Sequence, residues 1–227
     1  MRRWTGSCAR SISAVPGPAV AALDLALDAA GWRALGFTVD EDGGCRIGAT
    51  VLRLTAPAGA GSPLLPGWEL RVPAGAPGGG GLAVIDGLPT RWTDVPPGPA
   101  GAHPNTATSV DHVVVRTPDT GRTFAALQDA GMQLRRQRTA GTGSRALRQG
   151  FFRHGEAIVE VVGPLQGAGD GPATLWGITV LAADLDAAVA LLGDRAGGVR
   201  DAVQPGRRIV TVRAGATGGL PLAFMDA

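Results

Sequence analysis

The sequence contains no lysine and no tyrosine, and Asn105 is its single asparagine. Codons for these three residue types are AT-rich, so their scarcity points to a GC-rich bacterial genome. With lysine gone, all 21 basic residues are arginines, spread along the chain. The formal net charge is only +2 despite a pI near 9.0. A nucleic-acid surface needs a clustered basic stripe, and none is present, so no nucleic-acid partner is expected.

Cysteine is almost absent. Cys8 and Cys45 form no CxxC pair and cannot frame 227 residues with disulfides, so two free thiols of a reducing cytoplasm are the expectation. Histidine occurs three times, at 103, 112 and 154, and no Ser-His-Asp or Cys-His order has a distinctive spacing. A long uninterrupted apolar run is also lacking. No apolar segment follows Met1-Arg2-Arg3, and the run Ala19 to Ala30 is broken by Asp24 and Asp28. A signal peptide, a membrane span and a membrane partner are therefore not expected, and the location read from this is cytoplasmic.

What the chain has is repetition. Apolar residues make up 44% and charged residues 18%, as in a globular protein with one or two cores. Asp111-His112-Val113-Val114-Val115-Arg116-Thr117-Pro118-Asp119 reads as a β-branched strand running into a helix capped by Asp119. Trp176-Gly177-Ile178-Thr179-Val180-Leu181-Ala182-Ala183-Asp184 repeats the pattern, with Asp184 as the cap. The apolar-periodic segments that follow end at Gly131 and Gly193, the residue type that closes helices.

A second repeat links the N-terminal region to the middle. Arg46 to Pro57 parallels Arg153 to Pro164, with Gly48 and Gly155 at the same offset in hairpin turns before a strand. Upstream of Gly48, Val20 to Leu35 has a helical pattern, and a first strand is expected at about Ala9 to Val15. The unit strand–helix–three strands thus recurs about three times. The boundaries read from this are a degenerate module in 1–75, a Gly/Pro-rich linker in 76–107, and a domain of two modules, 108–165 and 173–227. A short strand, Leu82 to Ile85, is allowed inside the linker. Gly78 to Gly81 is no phosphate loop, because no Gly-Lys-Ser/Thr follows it.

Residues 109–227 resemble the vicinal oxygen chelate superfamily of glyoxalase-, bleomycin-resistance- and dioxygenase-like proteins. The likeness is carried by the opening Val110-Asp111-His112-Val113-Val114-Val115, the closing Ile158-Val159-Glu160-Val161-Val162, and the repeat itself. It implies an α+β fold in which paired βαβββ modules form a cup, with the N-terminal module as a degenerate extra. It also implies a divalent metal (Zn, Ni, Mn, Co or Fe) held by a first-strand His and a last-strand Glu of each module. His112 and Glu160 match those positions, and Glu160 would also be the catalytic carboxylate. Alternation puts His112, Val114 and Arg116 on one strand face and Ile158, Glu160 and Val162 on one face of another.

The third unit departs from the pattern. Gly177 stands where His112 does, and Ala223, or Phe224 with a one-residue slip, stands where Glu160 does. In the first unit Arg53 replaces Glu160. A catalytic divalent site needs three protein ligands and the matched positions supply two. A third would have to come from elsewhere, His103 and His154 being the other histidines.

Cup-wall recognition is expected from Arg116, Arg148, Gln149 and Phe151, with Arg148 or Gln149 gripping a carboxylate or carbonyl. His103, before Pro104, and the Arg207-Arg208 pair, before the strand Ile209 to Val212, read as turn residues. Two functions stay open: a metal-dependent lyase, isomerase or dioxygenase on a small oxygenated metabolite, and a metal-free small-molecule-binding protein of the drug-sequestering kind. An unpaired N-terminal half-module would also expose a sheet edge and favour a homodimer.

Overall fold

A computed structural model describes residues 17–57, 59, 61–73, 80–153 and 155–227. The strand expected at Ala9 to Val15, Cys8 and His154 lie outside the described residues. The chain builds two sheets, one after the other.

The first sheet holds β1 (Ala19–Leu25), α1 (Ala29–Ala34), β2 (Gly44–Ile47), β3 (Thr50–Leu54), β4 (Gly67–Arg71), β5 (Gly81–Ile85) and β6 (Leu88–Thr93). Its strand order is β2-β3-β1-β4-β6-β5. The helical pattern read over Val20 to Leu35 is therefore half strand. β1 runs parallel to β3 and antiparallel to β4, and residues 20–23 are all buried. A strand covered on both faces loses its alternation, so its apolar run cannot be told from a buried helix by period. The helix begins only at Asp28, whose carboxylate accepts the Gly31 N–H at 3.0 Å.

The expected linker also carries structure. β5 and β6 fall inside it, and β6 pairs in parallel with β4. Two reduced units, β1–β3 and β4–β6, thus meet along the antiparallel pair β1·β4. The half-module expected to lack a partner is paired within the chain along β1·β4, and the edges of this sheet are β2 and β5.

The second sheet holds β7 (Ala107–Arg116), α2 (Thr120–Asp129), β8 (Leu134–Ala140), β9 (Leu147–Arg153), β10 (Ile158–Pro164), β11 (Thr174–Ala182), α3 (Leu185–Leu192), β12 (Arg200–Asp201), β13 (Arg208–Thr211) and β14 (Leu222–Asp226). Its order is β12-β13-β14-β11-β7-β10-β9-β8. Each module is βαβββ with its first and last strands parallel, β7 with β10 and β11 with β14, and the two modules join along the antiparallel pair β7·β11. Asp119 and Asp184 cap α2 and α3 as expected, accepting from Arg122 N at 3.0 Å and Ala187 N at 2.9 Å.

One face of this sheet packs under the helices. Val113, Val115, Val159 and Val161 are buried there with Phe124 and Leu127 of α2. A Cβ on Gly150 would come within 2.3 Å of the Phe124 ring, so only glycine lets that ring lie against β9. The two sheets share one core. The Trp32 and Phe37 rings stack at 4.7 Å, and Phe37 meets Phe224 of β14 at 5.6 Å. The Asp86-Gly87 turn between β5 and β6, with φ of 49° and 90°, docks on α2. There the Asp86 carboxylate takes the Arg122 Nε at 2.6 Å and a short bond from the Thr123 hydroxyl.

Cys45 is fully buried, and that burial pushes its thiol up to about 12. Among the described residues, no helix is long and apolar enough to cross a membrane.

Candidate functional site

The helix-free face of the eight-stranded sheet is concave. A cavity of about 500 Å³ there is lined by residues that include Asp111, His112, Arg136, Arg138, Phe151 and Glu160. An adjoining hollow of about 340 Å³ shares His112, Glu160, Arg200 and Ile209 with it.

His112 and Glu160 stand on neighbouring parallel strands. Glu160 pairs with Val114, two residues beyond His112 on β7, so both side chains enter the cup from one face. His112 Nε2 and Glu160 Oε2 are 3.7 Å apart, with side chains 17% and 13% exposed. The other Glu160 oxygen accepts Gln149 Nε2 at 2.7 Å, and Gln149 Oε1 accepts Arg138 Nε at 2.5 Å. The Arg138 guanidinium lies over the Phe151 ring at 5.2 Å.

The other side of His112 holds a residue that alternation does not reveal. The register of β7 against β11 shifts at this point: Thr179 pairs with His112, but Val180 pairs with Val110. Asp111 is the extra residue of a β-bulge, and it joins His112 on the cup lining. Its Oδ2 lies 2.7 Å from His112 Nδ1. A carboxylate only accepts, so Nδ1 carries the hydrogen and Nε2 faces the cup. Arg207, read as a turn residue, reaches Asp111 Oδ1 at 3.8 Å. One polar chain therefore crosses the floor from Arg207 through Asp111, His112, Glu160 and Gln149 to Arg138.

The remaining expected residues separate. Gln149 and Phe151 line the cup. Arg148 alternates with them and shares the side of Gly150 and Phe152 that packs against α2, so it lines neither hollow. The cup arginines are instead Arg136 and Arg138 of β8 and Arg200 of β12. Arg116 sits at the rim, its guanidinium 5.5 Å from the Trp176 ring centre. The signal for Arg136 and Arg138 was their period of two in β8, which had no known face to be measured against.

Does this floor suit a divalent metal? His112 Nε2 and Glu160 Oε2 are two donors on one face, and Asp111 gives the imidazole the carboxylate partner that a ligating histidine uses. A third donor is missing. Ala223 pairs with Thr179 as Glu160 pairs with Val114, so the register equates Gly177 with His112 and Ala223 with Glu160. Neither ligates. A Cβ on Gly177 would lie 2.7 Å from Pro221 O and 2.8 Å from Pro221 Cβ. His103 is held elsewhere, its Nδ1 accepting Thr38 N at 3.0 Å and its Nε2 on Arg46 O at 2.9 Å. Among the described residues, no group of three His, Cys, Asp or Glu side chains is placed to hold a metal. The donor set does not complete a three-ligand centre.

Among the described residues, the first sheet has no comparable floor. Arg53 and Arg91 close on Asp24 and Glu69 at 2.6–3.7 Å, a square of charges across β3, β1, β4 and β6. Arg53 stands beside Asp24 as Glu160 stands beside Val114.

The chain has the fold of the vicinal oxygen chelate superfamily: βαβββ modules joined in antiparallel fashion around a cup. It is similar over most of its length to a solved structure of a triply substituted 4-hydroxymandelate synthase from Streptomyces coelicolor. That match has 17% identity, covers 93% of each chain and has a TM-score of 0.58. Methylmalonyl-CoA epimerases from Mycobacterium tuberculosis and Streptomyces coelicolor match about half of the chain. They show 18% and 17% identity over 53% of this chain, 89% and 98% of theirs, and TM-scores of 0.43 and 0.42. No family model matches the sequence, and no curated protein matches it.

Proposed function

We propose that this glyoxalase-like protein binds a small oxygenated anion in the cup of its eight-stranded sheet. His112 and Glu160 contact that molecule directly, not through a three-ligand metal centre. The observation that carries this reading is the polar floor itself: a fixed imidazole and a fixed carboxylate 3.7 Å apart, beneath a cavity of about 500 Å³. Gln149 orients Glu160, Phe151 supports Arg138, and Arg138 supplies the charge that an anion needs.

A metal-dependent lyase, isomerase or dioxygenase is the second reading, and Asp111 favours it. In that form His112 and Glu160 would hold a divalent ion, which would act as a Lewis acid on the ligand's oxygen.

The test is a titration of chelator-stripped protein with Zn, Ni, Mn, Co and Fe(II), following thermal stability beside His112→Ala and Glu160→Ala. A ligand at 100 times its Kd stabilises the native state by about 2.7 kcal/mol. The expected result is that no metal raises the wild type above the two variants. Stabilisation by one metal that both variants lose would move the assignment to the metal-dependent enzyme.

A further inference from the structure

The cup has two unlike halves. We infer that it is built for an amphipathic carboxylate, with an aryl body over β11 and β14 and a carboxylate among the arginines of β8 and β12. This rests on the reading that the cup binds a small molecule, and goes further by naming the ligand class.

The charged half is open in an informative way. Arg136, Arg138 and Arg200 line the larger hollow, and none has an ion-pair partner among the described residues. Arg53 and Arg91, facing each other across the first sheet, are neutralised by Asp24 and Glu69. The chain thus has the means to pair its arginines internally and does not use them here. Arg138 is also held in place, by Gln149 at Nε and by the Phe151 ring beneath it, so little freedom is lost when it meets a carboxylate.

The apolar half lies where a third and fourth metal ligand would have stood. Val114, Val162, Ile178, Pro221 and Ala223 wall the smaller hollow, and its charged lining residues are those it shares with the larger one, His112, Glu160 and Arg200. Gly177 cannot regain a side chain while Pro221 keeps its place. This wall is therefore a packed surface of its own. The hollow, about 340 Å³ and open to solvent on one side, has room for a ring laid against this wall. At its edge Trp176 is 44% exposed, a large aromatic surface left open with Arg116 against it. The seam between the halves is His112 and Glu160, so the part of the ligand joining ring and carboxylate would lie over this pair.

The experiment is isothermal titration calorimetry of the full chain with 3-phenylpropanoate, propanoate and 3-phenylpropanamide. The expected result is that 3-phenylpropanoate binds at least tenfold tighter than either of the others. Arg138→Met should abolish the preference for acid over amide. Trp176→Ala, a change at a residue 44% exposed, should weaken 3-phenylpropanoate severalfold, and Ala223→Phe, which fills the hollow, should lower it to the level of propanoate. Equal binding of propanoate and 3-phenylpropanoate would overturn the aryl half and leave the anion-binding cup standing. Equal binding of acid and amide would overturn the arginine half. Absence of binding by all three would overturn the inference together with the reading beneath it.

Discussion

Asp111 Oδ2 lies 2.7 Å from His112 Nδ1, although the two residues are neighbours on a strand and would ordinarily point to opposite faces. The bulge in β7 against β11 brings them to the same side. The bond places a hydrogen on Nδ1 of His112 and leaves Nε2 facing Glu160.

Asp111→Ala should release that choice. In the wild type, nitrogen NMR at a pH where the ring is neutral should show the hydrogen on Nδ1 alone. In the variant both tautomers should appear. Ligand affinity should fall about tenfold, the size of one hydrogen bond to a charged group. An unchanged tautomer ratio would mean that Asp111 does not orient the ring.

Gly177→Ala tests whether the apolar half of the cup is tightly built. The added Cβ meets Pro221 O at 2.7 Å, backbone that cannot swing aside. Denaturant unfolding should show a loss of about 1–3 kcal/mol, the usual cost of overpacking. A loss near zero would mean that the β11–β14 wall is loose.

His103 carries a pH dependence of known sign. Burial lowers its pKa below 6.5, and its Nδ1 must stay unprotonated to accept the Thr38 N–H. The unfolded chain therefore binds this proton more readily than the folded one. The stabilisation is complete above about pH 6.5 and is lost as pH falls from there through the lowered folded value. Thermal melts between pH 7.5 and 5 should fall more steeply in the wild type than in His103→Gln; parallel curves would dismiss the effect.

Asp86→Ala should loosen the joint between the sheets. It removes the acceptor for Arg122 Nε at 2.6 Å and for Thr123, and it leaves a β-carbon at a φ of 49° without the side chain that holds it there. Arg122 is 34% exposed, so water compensates part of its loss. Denaturant unfolding should register about 1–3 kcal/mol. Asp86→Asn should recover part of this through Thr123; equal losses in the two variants would show that the Thr123 bond adds nothing, and wild-type stability in both would show that the carboxylate does not hold the joint.

The second sheet was legible in the sequence because its signals are local. Capping aspartates at 119 and 184, the closing glycines, and the offset of Gly155 from the strand after it each follow from short-range backbone needs. His112 and Glu160 could be set on one face from alternation alone, since a strand turns over every residue until something interrupts it. The first sheet was harder. β1 is buried on both sides, so its apolar run has no period to read, and β5 and β6 lie in sequence dominated by turn formers.

By itself, then, the sequence determined the paired repeat of residues 108–227, the helix ends, and the lack of a ligating side chain at Gly177, because residue identity and short-range spacing suffice for each; the register of β11 with β14 was needed to choose Ala223 over Phe224 as the counterpart of Glu160. Only the tertiary structure decided which arginines face the cup, that Asp111 stands beside His112, and that the first sheet seals itself with ion pairs. These depend on register between strands far apart in the chain. A single bulged residue reverses a face, and no local pattern records where a partner strand lets that happen.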